Sequence, residues 1–197
     1  MTKVSQDLAT FVANITISDI DEDVQEKAGK LLLDIIGCSV AAFTSPPVKA
    51  LWKTYAGSTG EELATVVGTG RRASVADAAL INATMARYHD YNDCYMGVTA
   101  ACHPSDHIMA LLSVAEAEGA SGAEFVEAMI TAYEIEARGI DECPVRTNGF
   151  DYVLGESIRA WPLPENSCSS LRRIWSTRSA SPVRRTTRCT SPDVGKY

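Results

Sequence analysis

Apolar residues recur at helical spacing along most of the first 140 positions. The clearest run lies between residues 21 and 43, where seven apolar side chains fall on one helix face: Val24, Ala28, Leu31, Leu32, Ile35, Ile36 and Val40. This spacing is typical of a helix that packs one face on a core. We expect Ser18 or Asp19 to cap its start, because side-chain oxygens satisfy free backbone N–H groups there.

Helix breakers divide the region into further elements. The predicted helices cover about residues 7–12, 21–43, 48–55, 74–88, 104–118 and 121–138. Capping boxes open two of them, at Ser74 and at Ser121. Residues 63–67 are either a brief strand or an extended link. The pattern predicts an all-α helical bundle over about residues 5–150, followed by a C-terminal tail of irregular structure.

Composition limits the class of protein. With 46% hydrophobic and 22% charged residues, the chain suits one globular domain. It contains no run of roughly 20 apolar residues that would span a bilayer, and residues 1–18 lack the pattern of a signal peptide. We therefore expect a cytoplasmic protein with no membrane partner. None of the six cysteines forms a C-x-x-C pair, which favours reduced thiols over a zinc ribbon.

Charge divides the chain into two parts. Residues 1–155 carry 10 Lys and Arg against 22 Asp and Glu, whereas residues 156–197 carry 8 against 3. An acidic body repels nucleic acid, so we expect no nucleic-acid partner. The basic segment, rich in Ser, Arg and Pro, has three interpretations: a disordered tail, a nucleic-acid arm or the product of a shifted reading frame.

All three histidines fall between positions 89 and 107, in a segment between two predicted helices. Three interpretations are open on the residues alone. A histidine with carboxylates can move a proton on a carbon next to a carboxylate, and the N–H groups of the helix after Pro104 can hold an anion. His, Asp and Cys are also metal ligands, and HD-type phosphohydrolases carry a His-Asp pair like His89-Asp90. That class also needs a ligand histidine well upstream, however, and no histidine precedes His89. Finally, the polar residues can serve as helix caps and the histidines as surface groups.

Three strings in this region are specific: Asn82-Ala83-Thr84, His89-Asp90-Tyr91-Asn92-Asp93-Cys94 and His103-Pro104-Ser105-Asp106. Together they resemble the signature of the MmgE/PrpD family, and a looser similarity covers about residues 5–153. That family includes 2-methylcitrate dehydratase and cis-aconitate decarboxylase. The resemblance implies a lyase without metal or organic cofactor that dehydrates a citrate-like tricarboxylate. Decarboxylation and a catalytically inactive helical fragment or interaction module are the alternatives.

The resemblance also implies roles for individual residues. It places Asp90 and His103 in the catalytic pocket, with His103 as an acid/base or oxyanion partner and Asp90 orienting it or handling a proton. It makes four further residues substrate-binding: Asp93, Cys94, Ser105 and His107. Family members take cationic groups from later in their longer chains and are dimers. We therefore expect residues 1–153 to be an incomplete domain of this type, homodimeric in the complete enzyme.

A change of reading frame near residues 153–160 would explain why helical periodicity stops there. Tryptophan has one codon, so Trp161-Pro162 read from the last base of that codon gives alanine, and the following codons allow an alanine-rich amphipathic helix. We predict that resequencing the coding DNA will reveal an inserted or deleted base in this window. Early stop codons in the shifted frame would instead leave residues 154–197 as a genuine tail.

Overall fold

Six helices and two short hairpins make up the part of the chain described by the computed structural model, which comprises residues 3–55, 61, 63–98, 100–142, 146, 149 and 151–153. The helices are α1 (Lys3–Asn14), α2 (Glu22–Ala41), α3 (Pro46–Tyr55), α4 (Val75–Arg87), α5 (Ile108–Glu118) and α6 (Gly122–Glu142). The antiparallel hairpins are β1 (Ala64–Val66) with β2 (Arg71–Ala73), and β3 (Tyr95–Met96) with β4 (Ala101–Cys102). Short 3-10 turns occupy Ile17–Asp19 and Pro104–His107. The predicted all-α class is confirmed.

Helix α4 lies at the centre of the packing, against α2, α3 and α5. The main core brings together Ile35 of α2, Met109 of α5 and Met129 of α6, which are almost completely buried. Burial of each such side chain contributes about 1.5–3 kcal/mol. A second cluster joins α3 and β1 to α4 through Val48, Val66, Ile81 and Met85.

The cap predicted for α2 is wrong. The helix begins after Asp21, whereas Ser18 and Asp19 belong to the preceding 3-10 turn. There the Asp19 carboxylate accepts hydrogen bonds from the Thr16 backbone N–H at 2.9 Å and from the Thr16 hydroxyl at 2.6 Å. Asp19 is therefore engaged at the start of the turn and does not cap the helix.

A serine caps both helices as predicted, and at Ser121 both reciprocal bonds of a capping box are present. The Ser74 hydroxyl accepts the Asp77 backbone N–H at 3.2 Å, and the Glu124 carboxylate accepts the Ser121 backbone N–H at 2.7 Å. Gly119 ends α5 with a left-handed backbone, φ 64°, which glycine adopts without steric penalty. Helix α6 continues to Glu142, four residues beyond its predicted end.

The first hairpin is fastened to α4 by Asn82. This side chain has no exposed surface, its Oδ1 accepts the Val67 backbone N–H at 3.0 Å, and its Nδ2 donates to the Thr65 carbonyl at 2.9 Å. A backbone group left buried without a partner costs free energy. The first residue of the Asn82-Ala83-Thr84 string thus has a structural role.

The second hairpin, which the sequence analysis did not predict, is held on α6. The Asp141 carboxylate accepts hydrogen bonds from the Tyr95 hydroxyl at 2.6 Å and from the Val98 backbone N–H at 2.8 Å. The bond with Tyr95 lowers the pKa of Asp141 and raises that of the phenol. Gly97 lies so close to α6 that a Cβ there would be 2.5 Å from Cγ2 of Ile140.

Several expectations concern membranes, thiols and the tail. Among the described residues, no single helix has both the length and the apolar character to cross a membrane. Helices α2 and α3 reach that length and apolar character only when taken together, and the chain bends by 85° between them. Cys38, Cys94 and Cys102 are free thiols. Residues 154–197 lie outside the described residues, so the three interpretations of the tail stay predictions.

We predict that Asn82→Ala lowers the free energy of unfolding by about 1–3 kcal/mol, because it leaves two part-buried backbone groups without their partner and removes a fully buried side chain. Urea denaturation of the full chain measures the loss. The matched control is Asn14→Ala, which removes an exposed bond to the Thr10 carbonyl at 2.7 Å and should cost less than about 1 kcal/mol. Equal losses in the two variants would contradict the role given to Asn82.

Candidate functional site

Arg87, the last residue of α4, organises the histidine segment. Its Nη1 donates to Oδ1 of Asn92 at 2.6 Å, its Nη2 lies 3.0 Å from Oδ1 of Asp90, and its Nε lies 3.2 Å from Oδ1 of Asp106. A planar guanidinium suits this arrangement because its donors point in fixed directions. Arg87 was not predicted as a site residue, although it stands at the end of a predicted helix, directly before the acidic segment.

Asp90 projects from a tight turn after α4. Its backbone has φ 54°, in the left-handed region that aspartate enters more readily than most residues. Its side chain is 71% exposed and pairs with Arg87 rather than with His103. Unusual backbone conformations often occur at functional sites, because the surrounding structure must hold them.

A buried network lies beneath this turn. Nδ2 of Asn92 donates to the Ser105 hydroxyl at 2.7 Å, and the Ser105 backbone N–H donates to Oδ1 of Asp93 at 3.2 Å. Ser105, predicted to bind substrate, is thus buried with its hydroxyl and N–H bonded inside the protein. The prediction that backbone N–H groups after Pro104 hold an anion is wrong for Ser105, because its N–H already donates to the Asp93 carboxylate.

His103 is oriented by a backbone carbonyl. Its Nδ1 lies 2.7 Å from the carbonyl oxygen of Asp93. A carbonyl only accepts hydrogen bonds, so Nδ1 carries the proton and the neutral ring keeps a lone pair on Nε2. Tyr152 packs edge-on against this ring, with the centroids 5.7 Å apart.

His107 reaches a carboxyl group on another helix. Its Nε2 lies 2.9 Å from Oε2 of Glu136, which is fully buried on α6. A carboxyl group in such surroundings requires a partner. Glu136 was not predicted as a site residue, although the sequence holds a signal for it: at helical spacing it interrupts an apolar face that includes Met129 and Ile140.

Burial shifts two ionisable groups in this cluster. Desolvation raises the pKa of Asp106, against the opposing effect of the positive charge of Arg87. Desolvation also raises the pKa of the Tyr133 phenol, and the negative charge of Asp93 adds to that rise. Tyr133 therefore keeps its proton at neutral pH beside Asp93. It was not predicted as a site residue, because a tyrosine within a helix is also typical of an apolar packing position.

Other predicted residues lie on the outside of the segment. Cys94 is exposed, with its Sγ 3.7 Å from Sδ of Met96. His89 is exposed between Tyr88 and Tyr91, with ring centroids 4.9 and 5.1 Å away. Across the residues that the structure describes, no three His, Cys, Asp or Glu side chains form a metal-binding group.

The chain is similar in sequence to known proteins. The sequence model of the MmgE/PrpD N-terminal domain matches residues 6–158. The chain is 28% identical over 166 residues to a Saccharomyces cerevisiae protein named "Probable 2-methylcitrate dehydratase", covering 77% of this chain and 32% of that protein. It is 27% identical over 143 residues to the cis-aconitate decarboxylase-like protein oryM of Aspergillus oryzae, covering 68% and 29%. The chain thus spans about a third of the length of these curated relatives.

We predict that Arg87→Met lowers the free energy of unfolding by about 2–4 kcal/mol at neutral pH, because Asp106 keeps its buried position without its cation. Removing Arg87 raises the folded-state pKa of Asp106 further above the unfolded value. The folded variant therefore binds a proton at a higher pH than the unfolded chain does. Stability falls as pH rises through that window, so the loss should shrink under acidic conditions.

Urea unfolding at neutral and at mildly acidic pH measures this dependence. The matched control is Arg138→Met, because Arg138 is exposed and pairs with Glu134 within one turn of α6, at 2.8 Å. Such a surface pair contributes about 0–1 kcal/mol. A loss for Arg87→Met that equals the control, or that stays constant with pH, would show that Arg87 does not neutralise Asp106.

Proposed function

The chain belongs to the MmgE/PrpD family, and on that premise we propose that it supplies the acid/base part of a cofactor-free lyase that removes water from a citrate-like tricarboxylate. The observation that carries the proposal is the fixed ring of His103. Its Nδ1 is bound to the Asp93 carbonyl at 2.7 Å, which leaves Nε2 as the basic atom.

His103 suits the difficult step of a dehydration. A proton must leave a carbon next to a carboxylate, the C–H electron pair forms the new C=C bond, and the C–O bond to the hydroxyl group breaks. In the proposal Nε2 of His103 accepts the proton. The Nδ1–H group stays bound to the Asp93 carbonyl and stabilises the imidazolium that forms. A positioned base of this kind accelerates a reaction about 10²–10⁴-fold.

Asp90 is the second group of the proposal. The departing hydroxide needs a proton, and Asp90 is the carboxyl group of the cluster with the most exposed side chain. Its left-handed turn holds it on the solvent side of Arg87, where it can exchange a proton with substrate or water. In this proposal the surroundings of the bound acid are formed by the remaining predicted residues, Asp93, Cys94, Ser105 and His107.

The charge of the described cluster bears on how the substrate is held. Four carboxyl groups lie in it, those of Asp90, Asp93, Asp106 and Glu136, and the three guanidinium nitrogens of Arg87 are already bonded. A trianion needs further cations. We propose that they come from outside the described residues, in a homodimeric, cytoplasmic enzyme.

The same charge balance supports a second candidate function. Without added cations, the chain would be a non-catalytic helical module that keeps the site geometry but does not turn over a tricarboxylate. The name of the Aspergillus oryzae relative makes cis-aconitate the second substrate to examine, with decarboxylation as the reaction.

We predict that the purified chain converts 2-methylcitrate to its unsaturated acid, followed by ultraviolet absorbance, and that His103→Gln lowers the rate at least about 100-fold. The matched control is His89→Gln, since His89 is exposed and stacked on Tyr91. That variant should keep the native rate.

Each other outcome has a definite meaning. Equal rates in the native chain and in His103→Gln would overturn the assignment of the base. Absence of turnover with both 2-methylcitrate and cis-aconitate in the native chain would favour the non-catalytic module. Loss of activity in His89→Gln as well would point to a general effect on folding, which circular dichroism of the variants would reveal.

A further inference from the structure

A cavity lies between α3, the first hairpin and α4, and none of the histidine-segment residues lines it. Its volume is about 490 Å³, within the range of small-molecule pockets. We call it the α3 cavity. Its walls are mainly apolar, with side chains from Phe43, Val48, Trp52, Val66, Ile81 and Met85. Apolar walls of this kind favour a ligand with a hydrocarbon body.

The polar part of the lining carries positive charge. Lys49, Lys53 and Arg71 line the α3 cavity, and no Asp or Glu is among its lining residues. Lys49 and Lys53 are both exposed and lie one turn apart on α3, a spacing at which like charges repel. Neither lysine has an ion pair within the described residues.

Arg71 brings the third charge to the same wall. Its guanidinium lies 5.2 Å from the centre of the Trp52 ring, so a strand residue and a helix residue meet across the cavity. This contact is a cation–π interaction and leaves the charge of Arg71 uncompensated by any acid of the lining. An anion placed here would relieve the repulsion between the lysines and gain the attraction of Arg71.

We propose that the α3 cavity binds an alkyl monocarboxylate, with the hydrocarbon chain among the apolar walls and the carboxylate between Lys49, Lys53 and Arg71. A tricarboxylate fits this site poorly, because its further charges would be buried against apolar side chains without partners. The ligand is therefore of a different class from the substrate proposed for His103. The two proposals stand or fall separately.

Calorimetric titration of the full chain with hexanoate, octanoate and decanoate, below their micellar concentrations, tests the proposal. Each added methylene group should tighten binding about fourfold until the cavity is full. Octanol, which has the same chain and no charge, should bind roughly tenfold more weakly than octanoate. Tryptophan fluorescence of a variant with Trp161→Phe and Trp175→Phe gives an independent reading, since the remaining ring, that of Trp52, lines the cavity.

The charge requirement is tested by Lys49→Gln with Lys53→Gln. Both side chains are exposed, and this double variant should weaken octanoate roughly tenfold while leaving octanol unchanged. The matched control, Lys27→Gln with Lys30→Gln, changes the charge equally on the first half of α2, outside the cavity lining, and should bind octanoate as the native chain does.

Three results would overturn the proposal. One is no binding of any of the acids. Another is an affinity that does not depend on chain length. The third is an equal effect of the two lysine double variants, which would assign the attraction to overall charge rather than to this site.

Discussion

The guanidinium of Arg87 connects parts of the chain that would otherwise be independent. It links the end of α4, the left-handed turn at Asp90 and, through Asp106, the 3-10 turn before α5. Asn92 extends the same network to the Ser105 hydroxyl. Asp106 is largely buried, so its pairing with Arg87 contributes to stability. Asp90 is exposed, so the same cation also fixes the position of a carboxylate at the surface. The conformations of the strings at residues 89–94 and 103–106 therefore depend on a helix residue that belongs to neither string.

Much of the helical part of the fold could be predicted because periodicity and packing agree there. Local hydrogen bonds explain the main error at a helix end: Asp19 is a residue type that caps helices, but its carboxylate binds Thr16, and Asp21 stands at the start of α2 instead. The hairpins were harder to foresee, since strands of two or three residues are too short to show alternation. Asn82 is the residue that indicates the first hairpin, because a polar side chain buried among apolar residues requires hydrogen-bond partners.

For the candidate site, the sequence identified the segment but not its partners. Glu136 follows His107 by 29 positions and meets it only because α6 packs against the 3-10 turn. Arg87 is close in sequence to the histidine segment. Its residue type does not identify it as a partner, however, because an arginine at the end of a helix is also explained by its favourable interaction with the helix dipole. The orientation of His103 was also beyond the sequence, because a backbone carbonyl fixes it and any residue at position 93 supplies one. The roles of Asp90 and His103 in catalysis stay predictions.

Gly97 shows how a residue without a functional group can matter to the chemistry. Space beside it is so limited that a Cβ would fall 2.5 Å from Ile140 and 2.9 Å from both the Ala100 carbonyl oxygen and the Asp141 carboxylate. Any other amino acid must push the hairpin away from α6, and β4 runs directly into His103. A substitution at position 97 would thus disturb the backbone that leads into the candidate site, as a change of one of its polar residues would.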